Sequence, residues 1–163
     1  MGSMGKVMDV VSRRWWLTAL IAAVVVFLLM QLVPIRVSNP PVTSEPNWDS
    51  PQTRALAVKA CFDCHSNESK PYAWEKIAPL SWWISGHVSD GRAALNFSEW
   101  NTGGKGETGD IIETVKNGSM PPSYYTWLGL HSGAKLTAAE QQQLADGLKL
   151  TLAQSGGTSR GGG

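Results

Sequence analysis

The stretch KACFDCHSNE, Lys59–Glu68, holds both cysteines of the chain, Cys61 and Cys64, and places His65 directly after the second. Three chemistries use such a spacing: a zinc clip, a redox dithiol and covalent haem attachment. Two cysteines three positions apart close no long loop, so no disulfide framework exists here. A thioredoxin-type dithiol follows a strand within an α/β pattern, whereas the residues before Cys61 have a helical pattern. Zinc held by Cys61, Cys64, His65 and one of His87 or His131 is chemically possible, but structural zinc sites draw on two close ligand pairs. C-x-x-C-H sets two thiols on one turn within reach of the two vinyl groups of a haem and puts the histidine under the iron. The spacing therefore points to one covalent haem c, with thioethers at Cys61 and Cys64 and His65 as an iron ligand.

Upstream of the motif, Ser50 followed by Pro51 is a helix start, a side-chain cap and then the helical position where proline fits. Leu56, Ala60 and Cys64 recur at spacings of four, so a helix delivers the motif at its end. Between Pro34 and Pro51 lie five prolines, which favours an extended spacer over residues 34–50.

Before the spacer, Trp15–Val33 is a run of 19 residues without a charge. As a helix it matches the hydrocarbon thickness of a bilayer and reads as one transmembrane signal anchor, with Trp15 and Trp16 at the headgroup level. A cleaved signal peptide has a shorter apolar core, and VPIRVSNPP lacks a good small-residue cleavage pair. Lys6, Arg13 and Arg14 precede the run and Arg36 alone follows it closely, which puts residues 1–14 in the cytoplasm and the rest on the outer, periplasmic face of a bacterial inner membrane. Haem is attached through thioethers on that same outer side, so the two signals agree.

After Pro51 the pattern is helical. Trp83, His87 and Ala94 fall at helical intervals, Ile111, Ile112 and Val115 share a face before a stop at Gly118, and Thr137 with Glu140 forms a capping box ahead of Leu144, Leu148 and Leu152. No run alternates like a strand. The expected fold is all-α, a single N-terminal membrane helix followed by a small haem domain over residues 51–153. NTGGKGETG, residues 101–109, is a surface loop, and a glycine-rich tail occupies residues 154–163.

His65 leaves the opposite side of the iron to another group. Met120 is the only methionine after the apolar run; it follows Gly118 and precedes Pro121 and Pro122, whose fixed φ angles hold the loop rigid. His87 is the competing sixth ligand, while His131 is read as a loop residue. Six of the eight tryptophans lie after the run, large rings suited to excluding water from a haem face.

ACFDCHSNE, IAPLSWWISGHVSDGRAALNFSEW, GSMPPSYYTWL and AKLTAAEQQQLADGL together resemble a family of small bacterial haem-binding domains of the cytochrome c type, often membrane-anchored. The resemblance covers about residues 39–152. It implies a cytochrome c-like helical fold and covalent haem c at Cys61, Cys64 and His65; the family pattern has its MPP loop at Met120 and also includes His87.

The expected function is that of an electron-transfer protein, not an enzyme: a monohaem c-type cytochrome passing single electrons to or from a respiratory or photosynthetic membrane complex, or a soluble redox carrier. The alternative is a haem enzyme or a redox or gas sensor with a labile sixth ligand; a third reading makes the haem a folding element only. A formal net charge of +1 with 17% charged residues and no basic patch excludes a nucleic-acid protein. The part after Pro34 carries 11 basic and 12 acidic residues, which favours a fixed subunit over an electrostatically steered shuttle.

Overall fold

The computed structural model describes residues 3–102, 108–127 and 130–156, with side chains over 14–102, 109–127 and 130–155. The side chains expected at the cytoplasmic N-terminus, most of the loop at 101–109 and most of the tail at 154–163 therefore lie outside the described residues. Within them the regular structure is helical, apart from isolated bridge residues, among them the pair Ser44 and Glu99.

Helix α1, Ser3–Met30, carries the apolar run, and its described large side chains from Trp15 to Leu29 are exposed. Here the sequence expectation is corrected: among the described residues no helix is long and apolar enough to cross a membrane. The apolar reading continued to Val33, but the helix stops at Met30 and residues 31–33 form a turn. Trp15–Met30 is about 16 residues, ~24 Å at ~1.5 Å per residue, against ~30 Å of hydrocarbon. Pro34 has no N–H to offer the Met30 carbonyl, and past the helix end tertiary contacts take over. The Gln31 carboxamide donates to the Ala78 carbonyl at 3.0 Å and accepts from the Ala78 N–H at 3.1 Å, and Trp82 Nε1 donates to the Val33 carbonyl at 3.0 Å. The single-pass anchor and the inner-membrane, periplasmic placement both rested on that span and fall with it.

Residues 34–50 form no helix or strand apart from the bridge at Ser44, and they are tied down along the domain. Thr43 and Ser44 donate backbone N–H groups to the Ser98 carbonyl at 2.9 and 3.2 Å, and Trp100 N–H donates to the Ser44 carbonyl at 3.1 Å. Asn39 Nδ2 donates to the Ser69 carbonyl at 2.9 Å.

Helix α2, Pro51–Ala60, begins as its sequence dictates: Ser50 is extended, and its hydroxyl accepts the Thr53 N–H at 3.2 Å, with Pro51 in the first turn. A four-residue turn, α3 (Phe62–His65), follows directly. After a 3-10 turn at Ala73–Lys76 comes α4, Leu80–Ala94, then α5, Thr108–Lys116, the short α6, Ser123–Thr126, a second 3-10 turn at Ser132–Ala134, and α7, Ala138–Gly156. The stop after α5 is Gly118 at φ +72°, a conformation that glycine adopts without a Cβ clash. At the start of α7 the capping box is present: Thr137 N–H donates to Glu140 Oε2 at 2.8 Å and Glu140 N–H to Thr137 Oγ1 at 3.2 Å.

Helix α7 is the spine of the core. Leu144, Ala145 and Leu148 are buried against Leu56 and Ala57 of α2, Val115 of α5 and the ring of Phe97. Gly147 marks the crossing of α7 over α2, where a Cβ would run into the Thr53 side chain. Phe62 stacks on Phe97 with ring centroids 5.6 Å apart, and Trp48 packs on both. Since Phe62 belongs to α3, burying it fixes the cysteine turn to the core; a buried Phe contributes about 2–3 kcal/mol on area grounds.

Candidate cofactor site

Cys61, Cys64 and His65 sit on one turn. The Cys61 carbonyl accepts from Cys64 N–H at 3.2 Å and from His65 N–H at 2.9 Å, so the three side chains share a face at helical spacings of three and four. Phe62, between them in sequence, points into the core instead.

The register of the turn is held from α4. Gly91 lies against the motif so closely that an added Cβ would meet the Cys64 carbonyl oxygen at 2.6 Å. That approach brings His65 Nδ1 to 2.9 Å from the Gly91 carbonyl and 3.1 Å from the Leu95 carbonyl. Carbonyls only accept, so the proton is on Nδ1 and the Nε2 lone pair is the free one. Burial lowers the His65 pKa, partly offset by those two carbonyls, and keeps the imidazole neutral. A neutral, oriented imidazole with a free Nε2 is the form that ligates a metal, and the carbonyl partners are the supports that fix it.

Both sulfurs are held neutral as well. Burial pushes the Cys61 thiol up to about 12, with Cys64 adding to it, and burial with the Asp63 and Glu75 charges pushes Cys64 up to about 11. A reactive dithiol needs the opposite shift. Nor does a zinc set assemble: among the described residues no group of three or more His, Cys, Asp or Glu is placed to hold a metal ion.

The chain downstream of the motif locks it further. Phe97 N–H donates to the His65 carbonyl, Asn67 N–H to Ser98 Oγ at 2.9 Å, and Asn96 Nδ2 to Asn67 Oδ1 at 3.1 Å. The SNE after the motif and the NFSE after α4 thus form one buried polar seam. Arg92 closes it. Its guanidinium donates to the carbonyls of Ser66 and Ser38 at 2.7 Å each, to Ser69 Oγ at 3.0 Å and to Asn39 Oδ1 at 3.1 Å.

The structure brings the α6 region to the motif by a route that sequence reading missed. Tyr125 Oη donates to Asp63 Oδ2 at 2.8 Å, and Asp63 stands between the two cysteines. Burial and the Asp63 charge raise the Tyr125 pKa, so the phenol stays a donor. Its ring stacks on His131, with centroids 4.0 Å apart. His131, read as a loop residue, is only 8% exposed: Nε2 meets Glu75 Oε1 at 3.0 Å, and Glu75 also accepts from Tyr72 N–H at 2.6 Å.

The two sixth-ligand candidates lie on this side too. His87 Nδ1 donates to the Trp83 carbonyl at 3.0 Å, leaving Nε2 free; its ring centroid is 4.1 Å from that of Trp83 and 6.0 Å from that of Tyr124. Met120 is 40% exposed, four residues before Tyr124, with its N–H on the Thr114 carbonyl at 3.2 Å. No hydrogen bond or ring contact joins either of them to His65 among the described residues.

A cavity of about 30 Å³ opens beside Cys64, walled by Ile84 and Val88 of α4 and by Tyr125 and His131. Ile84, Val88 and Gly91 form one stripe of α4 facing the motif. The donor chemistry fits a haem: a free imidazole nitrogen, two neutral sulfurs and an apolar wall. The space is one water's worth in this packing, whereas cofactor pockets need ~300 Å³ or more.

The model of a family described as a haem-binding domain matches residues 25–150. Comparison with curated proteins and with solved structures gives no match.

Proposed function

The chain belongs to the haem-binding domain family, and from that premise we propose that it is a monohaem c-type cytochrome that carries single electrons. Cys61 and Cys64 would bear the thioethers, and His65 Nε2 and Met120 would hold the iron. The observation that carries this reading is the pair of carbonyls, Gly91 and Leu95, that accept from Nδ1 of the histidine directly after C-x-x-C.

Haem bound there supplies a one-electron iron couple. The residues of the chain do the rest. His65 is oriented by α4, Phe62 anchors the turn in the core, and Ile84 and Val88 present an apolar wall that excludes water and favours the less charged state of the iron. Tyr125 holds its proton and covers the motif from the α6 side. The partner is a redox protein, met without strong steering because the charge beyond Pro34 is nearly balanced.

A second reading, a haem enzyme or redox or gas sensor with a labile sixth site, is favoured by the exposure of Met120 and its distance from any contact with His65. A redox titration with and without carbon monoxide separates the two. The carrier titrates as one electron and its reduced spectrum is unmoved by carbon monoxide; a prompt carbon monoxide shift rejects the carrier and supports the second reading.

A further inference from the structure

A second cavity, about 250 Å³, adjoins the one at Cys64 and shares Val37, Pro71 and Glu75 with it; its remaining walls are Arg36 and Lys76. Two cations face one space there, and neither has a carboxylate partner among the described ion pairs. Glu75 lines the same space with its oxygens on His131 and the Tyr72 N–H, so two cations there face one carboxylate. Like charges sharing a partly enclosed space repel unless an anion is added, so this arrangement favours an anionic ligand.

The position of Arg36 is built. The strap just after it is fixed by Arg92 on the Ser38 carbonyl and by Asn39 on the Ser69 carbonyl, while Trp82 holds the Val33 carbonyl just before it. Lys76 ends the 3-10 turn whose Glu75 is buried. Both cations are therefore presented by segments that pack on the motif side of the domain.

We infer that Arg36 and Lys76 receive the propionate carboxylates of the haem, through the Val37–Pro71–Glu75 wall common to the two cavities. The inference rests on the proposal that haem is bound at Cys61, Cys64 and His65. An arginine gives a carboxylate two parallel donors, and a lysine a point charge beside it. Holding the carboxylates ionised and compensated keeps their negative charge from stabilising ferric iron, which raises the potential.

The experiment is a spectroelectrochemical titration from pH 5 to pH 9 of the haem-loaded full chain, its R36Q, K76Q and R36Q/K76Q variants, and K149Q as a control for loss of a remote exposed lysine. Wild type and K149Q are expected to share one potential with little pH dependence. Each site variant is expected to have a lower potential, the double variant the lowest, with a new fall in potential as pH rises through the neutral range, because an uncompensated carboxylate binds a proton more readily. A double variant that matches wild type in potential and in pH slope overturns the assignment. So does a wild-type potential that follows added inorganic phosphate at constant ionic strength, which marks a free-anion site. Wild-type protein with no covalent haem defeats the underlying proposal instead, and the two failures are read from different measurements.

Discussion

His65 Nδ1 lies 2.9 Å from the carbonyl oxygen of Gly91, and that bond connects the cysteine turn to a position of α4 where a side chain cannot stand. A methyl group at residue 91 would meet the Cys64 carbonyl oxygen at 2.6 Å. Gly91→Ala is expected to push α4 away from α3 and to cost about 1–3 kcal/mol, the range for overpacking. Urea denaturation checks it, and an unchanged midpoint contradicts the packing.

Arg92 joins the strap before α2 to the loop after the motif through four acceptors. Hydrogen bonds to a charged group contribute about 1.5–3 kcal/mol each when well made, and they are not additive here. Arg92→Ala is expected to lose about 2–4 kcal/mol. Arg92→Lys recovers only part of it, since an ammonium cannot span four acceptors in a plane. Full recovery by lysine in a thermal melt would show that charge, not the fork, is what matters.

Glu45 makes a two-oxygen pair with Arg54 at 2.7 Å to each nitrogen, and the Arg54 hydrogen bond holds its pKa below the ordinary carboxylate value. The unfolded-state pKa is the higher one, so the pair stabilises the fold above about pH 4.3 and the contribution disappears as pH falls through the lowered folded value. Stability is expected to drop on going from about pH 5 to about pH 3, and Glu45→Gln is expected to flatten that part of the curve at a cost of about 1 kcal/mol at neutral pH. An acid limb of the same steepness in the variant rejects Glu45 as its source.

Met120 and His87 make opposite spectroscopic forecasts. Met120→Ala is expected to abolish the sulfur-to-iron charge-transfer band of the oxidised protein and to open the iron to carbon monoxide, while His87→Ala leaves both unchanged. The reverse pattern assigns the sixth position to His87, whose Nε2 is free for it.

Local signals in the sequence were read well where the chemistry is local. The Ser50 cap, the Thr137–Glu140 box and the Gly118 stop are each decided by residues within four positions, and all three stand as expected. Cys61, Cys64 and His65 share a turn for the same reason. What escaped sequence reading is set by tertiary partners. The apolar run gives no hint that Gln31, directly after α1, bonds to both polar groups of Ala78. Nothing in LGLHSGAK marks His131 as buried, because its carboxylate partner Glu75 is 56 positions away and its ring partner belongs to α6. A tyrosine beside a Pro-Pro pair likewise carries no mark of a bond to Asp63.

The most direct test of the account is the intact mass of the denatured full chain, produced in cells that attach haem c. The account predicts one haem retained after denaturation, both cysteines consumed, and loss of that retention in Cys61→Ser/Cys64→Ser. A chain that gives up its haem on denaturation, with Cys61 and Cys64 still free thiols, would contradict it.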